Sequence, residues 1–142
     1  MIVIRPVAED DIANVALIYR DILQTASWYV AHQPVAHQSA ADAFAAATAG
    51  ERIWVAVVQD KAIAGFISVW EADSFIHHLY VDPRFQRRGV GSALLESLTL
   101  PRPWSLKCAA SNSAALAFYR SRGWQQVGRG DSETGPYLLM RF

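Results

Sequence analysis

The chain has 142 residues, 52% hydrophobic and 18% charged, with 13 basic and 13 acidic side chains and no formal net charge at pH 7. That length and composition predict one folded domain, 1–142, and exclude disorder. The charge balance gives no support for a nucleic-acid partner, so an anion site must be a local cluster. A single cysteine, Cys108, excludes a disulfide within the chain and a multi-cysteine zinc site.

The start, MIVIRP followed by Glu9, Asp10 and Asp11, has no apolar run after a basic segment, so no signal peptide is expected. The uncharged stretch between Asp21 and Asp42 is broken by His32, Gln33, Pro34, His37 and Gln38 and does not read as a membrane span. A cytoplasmic protein without a membrane partner, monomeric or homodimeric, is the expectation.

Ile2 to Arg5 reads as a first strand. Ile12, Val15, Ala16 and Tyr19 recur at helical spacing behind an acidic start, predicting a helix from about Asp10 to Leu23. The segment Thr25 to Gln38 has no clean period and reads as an aromatic-rich loop. Ala40 to Ala49 is helical by propensity, with Gly50 as its C-terminal stop. Ile53 to Val58 and Ala62 to Trp70 form a hairpin about Gln59-Asp60-Lys61, and Ser74 to Val81 is a further strand closed by Asp82-Pro83. Gly89 to Leu98 is a helix with Val90, Leu94 and Leu98 on one stripe. Trp104 to Ala109 is a strand, Asn112 to Arg122 a helix closed by Gly123, and Trp124 to Gly128 and Tyr137 to Phe142 are two last strands. A strand, glycine-rich turn, helix and strand at the centre imply one parallel crossover in a mostly antiparallel, α+β arrangement.

The sharpest local signal is Gln86-Arg87-Arg88-Gly89-Val90-Gly91, between a strand and a helix. A tight turn there gathers backbone N–H groups into an anion-binding concavity, and Arg84, Arg87 and Arg88 add charge. A dinucleotide fingerprint needs a third glycine where Leu94 stands, and a Walker A loop needs Gly-Lys-Ser/Thr, which is absent. The remaining pattern, Gln/Arg-x-x-Gly-x-Gly/Ala, is the coenzyme A loop of the GNAT acetyltransferases. Leu79 to Leu95 resembles that family's central motif almost position by position. Ala110 to Ala115 with Phe118 to Trp124 resembles its second block at the expected distance.

The resemblance implies the GNAT fold, a twisted, mostly antiparallel sheet of six to seven strands with four helices and a central β-α-β crossover for coenzyme A. It implies N-acetyl transfer from acetyl-CoA directly to a primary amine of a small molecule or peptide. The alternative is a catalytically silent CoA-binding sensor or scaffold of the same fold. The pantetheine arm would pair with the backbone around Leu79, Tyr80 and Val81. Gln86, Arg87, Arg88, Gly89, Val90, Gly91 and Ser92 would hold the pyrophosphate, and Asn112 would cap its helix and contact the arm. Tyr119 stands where the family places its proton donor.

The family's usual general-base glutamates are replaced, one by Phe75 and the other by Lys107. His77 and His78 are the nearby candidates for the base, with Glu71, Asp73 or proton loss to water as the alternatives. Strand alternation puts the two histidines on opposite faces unless a bulge intervenes, with His77 better placed. Adjacent histidines pointing apart cannot chelate together, and His32 and His37 lack ligand spacing, so no metal is expected. Cys108 reads as a buried small hydrophobe rather than a nucleophile. The acceptor wall is expected from the first two helices, their loop (Trp28, Tyr29, His32, His37) and the final hairpin.

Overall fold

The computed structural model describes residues 1–25 and 39–142. Its elements are β1 (Val3–Pro6), α1 (Ile12–Thr25), α2 (Ala40–Ala47), β2 (Arg52–Val57), β3 (Ile63–Trp70), β4 (Phe75–Val81), α3 (Val90–Glu96), β5 (Ser105–Ala109), α4 (Ser113–Ser121), β6 (Gln125–Ser132) and β7 (Gly135–Arg141). Their order is the one read from the sequence. Boundaries moved where turn geometry intervened. Ser74 is a left-handed turn residue rather than the first residue of β4, and β6 runs past Gly128 because a register shift between Gln126 and Gly128 lets pairing resume. Helix α2 stops before the sequence reading had it, and Gly50 takes its positive φ in the following turn.

The strands form one sheet in the order β1-β2-β3-β4-β5-β7-β6. Every neighbouring pair is antiparallel except β4 and β5. Helices cover both faces, which is why β3, in the interior of the sheet, is buried from Ile63 to Val69. On one face Val55, Ile63 and Phe66 pack with Val15, Ala16 and Ile18 of α1 and Phe44 of α2. On the other, Ile67, Val69 and Ile76 pack with Val90, Leu94 and Leu95 of α3 and with Leu116 and Tyr119 of α4.

Polar clamps fix how the helices enter. Asp11 accepts two bonds from the Arg5 guanidinium, at 2.6 and 3.0 Å, and one from the Ala8 N–H at 2.7 Å. The Arg5 bonds are the main reason its carboxyl sits below the usual carboxylate range. Ser39 caps α2 by accepting from the Asp42 N–H at 3.0 Å.

Candidate active site

Two parallel strands with a helix between them need not pair along their whole length. Here β4 and β5 pair only at Phe75–Ser105 and Ile76–Leu106. Beyond Ile76 the strands splay, and the opening continues into a cavity of about 770 Å³. Leu79, Tyr80 and Val81 line one side, Leu106 to Ala109 the other, and α3 and α4 the floor. Ile22 of α1 also reaches it.

The turn before α3 supplies the polar end. Arg87 and Gly89 both have positive φ, at 66° and 81°, so the chain reverses sharply and turns successive N–H groups inward. Gln86, Arg87, Gly89, Val90, Gly91 and Ser92 all line the cavity. Gly91 sits close to its neighbour, since a Cβ there would lie 3.2 Å from the Phe118 ring, a tight contact. Of the three arginines, Arg87 alone borders the cavity among the described residues. Arg84 is held by Asp82 at 2.8 Å, and the Arg88 guanidinium lies 5.7 Å from the centre of the Phe85 ring. The sequence reading missed Arg122, which closes α4, stacks 3.9 Å over Phe118, bonds Ser92 and borders the cavity.

Helix α4 starts with Asn112, whose side chain accepts from the Ala115 N–H at 3.2 Å while also lining the cavity. Tyr119 is buried in the floor, with Trp124 and Phe118 packed edge-on at 5.5 and 5.3 Å. Burial is the main cause that raises its phenol far above the ordinary value, so it is neutral at any working pH. Burial likewise pushes the Cys108 thiol up to about 11, so it carries no thiolate at neutral pH.

The two histidines depart from simple alternation. The β3–β4 register shifts between Ser68 and Val69, so that Ser68 pairs with His78 and Val69 with Ile76, leaving His77 as the extra residue of a bulge. Their rings lie side by side, 3.9 Å apart between centres, instead of pointing to opposite faces. His77 is partly exposed and borders the cavity. His78 is buried against Tyr19, Phe66 and Tyr80, and its Nδ1 is 2.7 Å from the Ser68 hydroxyl. Burial, then the neighbouring His77, pushes its pKa down to about 3. Glu51, unforeseen from the sequence, meets both rings. Its Oε2 is 2.6 Å from His77 Nδ1, and its Oε1 is 3.9 Å from His78 Nδ1. Ligand atoms of Glu51, His77 and His78 lie within 4.8 Å of one another. The geometric reason for expecting no metal therefore fails, because the bulge brings together two rings that alternation would separate. Trp28, Tyr29, His32 and His37 lie outside the described residues.

Residues 49–126 match the sequence profile of the Acetyltransferase (GNAT) domain family. The chain belongs to the GNAT family of acetyltransferases. It is 31% identical over 114 residues to an uncharacterized N-acetyltransferase, YafP, of Escherichia coli, covering 79% of this chain and 73% of that one. It is 29% identical over 93 residues to the peptidyl-lysine N-acetyltransferase YjaB of Salmonella typhimurium, covering 63% of each. A GNAT phosphinothricin acetyltransferase of Sinorhizobium meliloti, solved in complex with AcCoA, superposes with a TM-score of 0.77 at 19% identity over 99% of this chain and 87% of that one. The seven-stranded sheet with four helices is thus the GNAT fold, as the sequence motifs implied.

Within that GNAT frame the replaced acids stay replaced. Phe75 begins β4 within the stretch that pairs with β5, opposite Ser105, and Lys107 is exposed with its ammonium 4.9 Å from the centre of the Tyr137 ring. Glu71 is paired with Arg52 at 3.2 Å, and neither Glu71 nor Asp73 borders the cavity among the described residues. No helix among the described residues is long and apolar enough to cross a membrane.

Proposed function

We propose that this GNAT enzyme transfers the acetyl group of acetyl-CoA directly to a primary amine of a peptide or small molecule. The observation that carries the reading is the splay of β4 from β5, opening beside a turn with two positive-φ positions, Arg87 and Gly89, on either side of Arg88. An extended pantetheine arm can take the place of the missing strand partner beside Leu79, Tyr80 and Val81. The turn from Gln86 to Ser92 offers N–H donors to a pyrophosphate, with Arg87 and Arg122 adding charge.

In the transfer, a neutral amine nitrogen attacks the thioester carbonyl carbon. The carbonyl oxygen becomes an oxyanion held by a backbone N–H near Leu79. The C–S bond breaks as the carbonyl re-forms. The amine's proton goes to His77, and the departing sulfur receives a hydrogen bond or a proton from Tyr119. The burial that keeps Tyr119 neutral also makes its phenolate costly, so its main action is a fixed hydrogen bond to the developing thiolate.

Peptidyl lysine is the first acceptor to test, because it is in the name of a relative at 29% identity. Incubating the protein with acetyl-CoA and lysine peptides, α-amino peptides and small amines, with detection of free CoA thiol, should give turnover on at least one. Acetyl-CoA should raise Tm by mass action, and Arg87→Glu should largely remove that rise while leaving the unliganded Tm unchanged. Absence of a Tm rise in the wild type would sink the reading.

A further inference from the structure

A carboxyl group buried at the mouth of a strand needs a partner, because an unpaired charge costs far more there than in water. Glu51 opens the approach to β2, and its side chain is only 6% exposed. The turn before it is held in one conformation. Gly50 has φ +80°, and a Cβ on it would fall 2.8 Å from the Trp70 ring. The nearest arginine in sequence, Arg52, is taken by Glu71. The Glu51 contact within hydrogen-bond range is His77, with Oε2 2.6 Å from Nδ1, and Oε1 is buried without a hydrogen-bond partner.

We propose that Glu51 is the positioning residue for His77, accepting its Nδ1–H and thereby leaving Nε2 as the nitrogen that takes the amine's proton in the cavity. This rests on the reading above that His77 is the base. A carboxylate can only accept, so the short contact places the proton on Nδ1. A neutral ring of that tautomer has its lone pair on Nε2. When Nε2 takes a proton, the resulting imidazolium lies against a carboxylate that water reaches poorly, where the pair attracts more strongly than in bulk solvent. His78 cannot substitute. Its Nδ1 is engaged by Ser68, and its ring is walled off by Tyr19, Phe66 and Tyr80. It instead backs the His77 ring at 3.9 Å and limits its rotation. Among the described residues, the His78 ring lies against His77 and is itself faced by Ser68, Tyr19, Phe66 and Tyr80, while Arg52 and Glu71 pair with each other.

The test compares Glu51→Gln, His77→Gln and the double variant, with steady-state kinetics, the acetyl-CoA Tm shift and ¹⁵N NMR of the histidine rings. Glu51→Gln should lower kcat by about 100-fold, part of what a general base contributes, with KM for acetyl-CoA within about twofold. The double variant should be no slower than His77→Gln alone, as expected for residues acting as one unit. Wild-type His77 should show the Nδ1–H form, and Glu51→Gln should shift the ring towards Nε2–H. If His77→Gln keeps the wild-type kcat, the base reading itself fails. If His77→Gln slows the enzyme and Glu51→Gln does not, only the role of Glu51 fails. A wild-type Nε2–H ring with bare Nδ1 overturns the proposal even where Glu51→Gln does not fold. Loss of activity in EDTA with recovery on added zinc overturns it too, by making His77 a metal ligand.

Discussion

Tyr119 shows how one side chain acquires a role from its surroundings. In isolation a tyrosine titrates near 10. Packed among Phe118, Trp124 and Cys108 it is raised far above that, mainly by burial. A donor with a raised pKa gives the rate profile no descending limb of its own below about pH 10. Tyr119→Phe removes only the hydroxyl, and turnover should fall by about 10- to 1000-fold with the acetyl-CoA Tm shift preserved. Unchanged turnover in a pH-rate series would make Tyr119 a packing residue. Cys108 of β5, which lines the same cavity, is held neutral by burial as well, which removes it as a nucleophile.

At the scale of elements, the site is made by one strand that stops following its neighbour. β4 stays with β3 along its length, but it leaves β5 after Ile76. Gly65 is the reason β3 can stay so close at the splayed end. It pairs with Val81, and a Cβ there would fall 2.5 Å from the Tyr80 carbonyl oxygen. The obstacle is backbone rather than a flexible side chain, so it cannot swing away. Gly65→Ala should therefore destabilise the fold by about 1–3 kcal/mol, read as a lower midpoint in urea denaturation at unchanged m. A midpoint equal to wild type would show that the strands relax apart at no cost. α3 and α4 meet across the floor in a tight contact, Gly91 against Phe118, so the second glycine of the loop answers to packing as well as to close approach of a ligand.

Across the whole molecule, the pH response follows from a histidine kept neutral in the sheet. His78 titrates near its ordinary value, about 6.5, when unfolded, but is pushed down to about 3 when folded. Between those values the unfolded chain binds the proton and the folded one does not, so stability falls as pH drops below about 6.5. Wild type should lose on the order of 1–2 kcal/mol between pH 7.5 and pH 5, and His78→Gln should lose less. Equal losses in chemical denaturation would deny His78 that role. The Arg5–Asp11 clamp acts lower. Its depressed carboxyl contributes stability above about pH 4 that is lost as pH falls through its folded value.

The sequence by itself determined the element order, the loop from Gln86 to Ser92 and the capping Asn112. Each rests on interactions between near neighbours, which periodicity and turn chemistry report directly. It also gave the parallel crossover through the succession of strand, turn, helix and strand, and the position of Tyr119 through two motifs in fixed order. Only the tertiary structure decided the rest. His77 and His78 share a face because β3 and β4 slip by one residue between Ser68 and Val69, and a one-residue slip leaves no trace in either strand's own pattern. Glu51 reaches His77 across 26 positions of chain, joined through the sheet rather than through any spacing. Arg122 turns to the cavity because Phe118 and Ser92 hold it there. A buried acid, a bulge and a stacked arginine are properties of contacts between distant segments, and these exist only once the sheet has closed around its two cores.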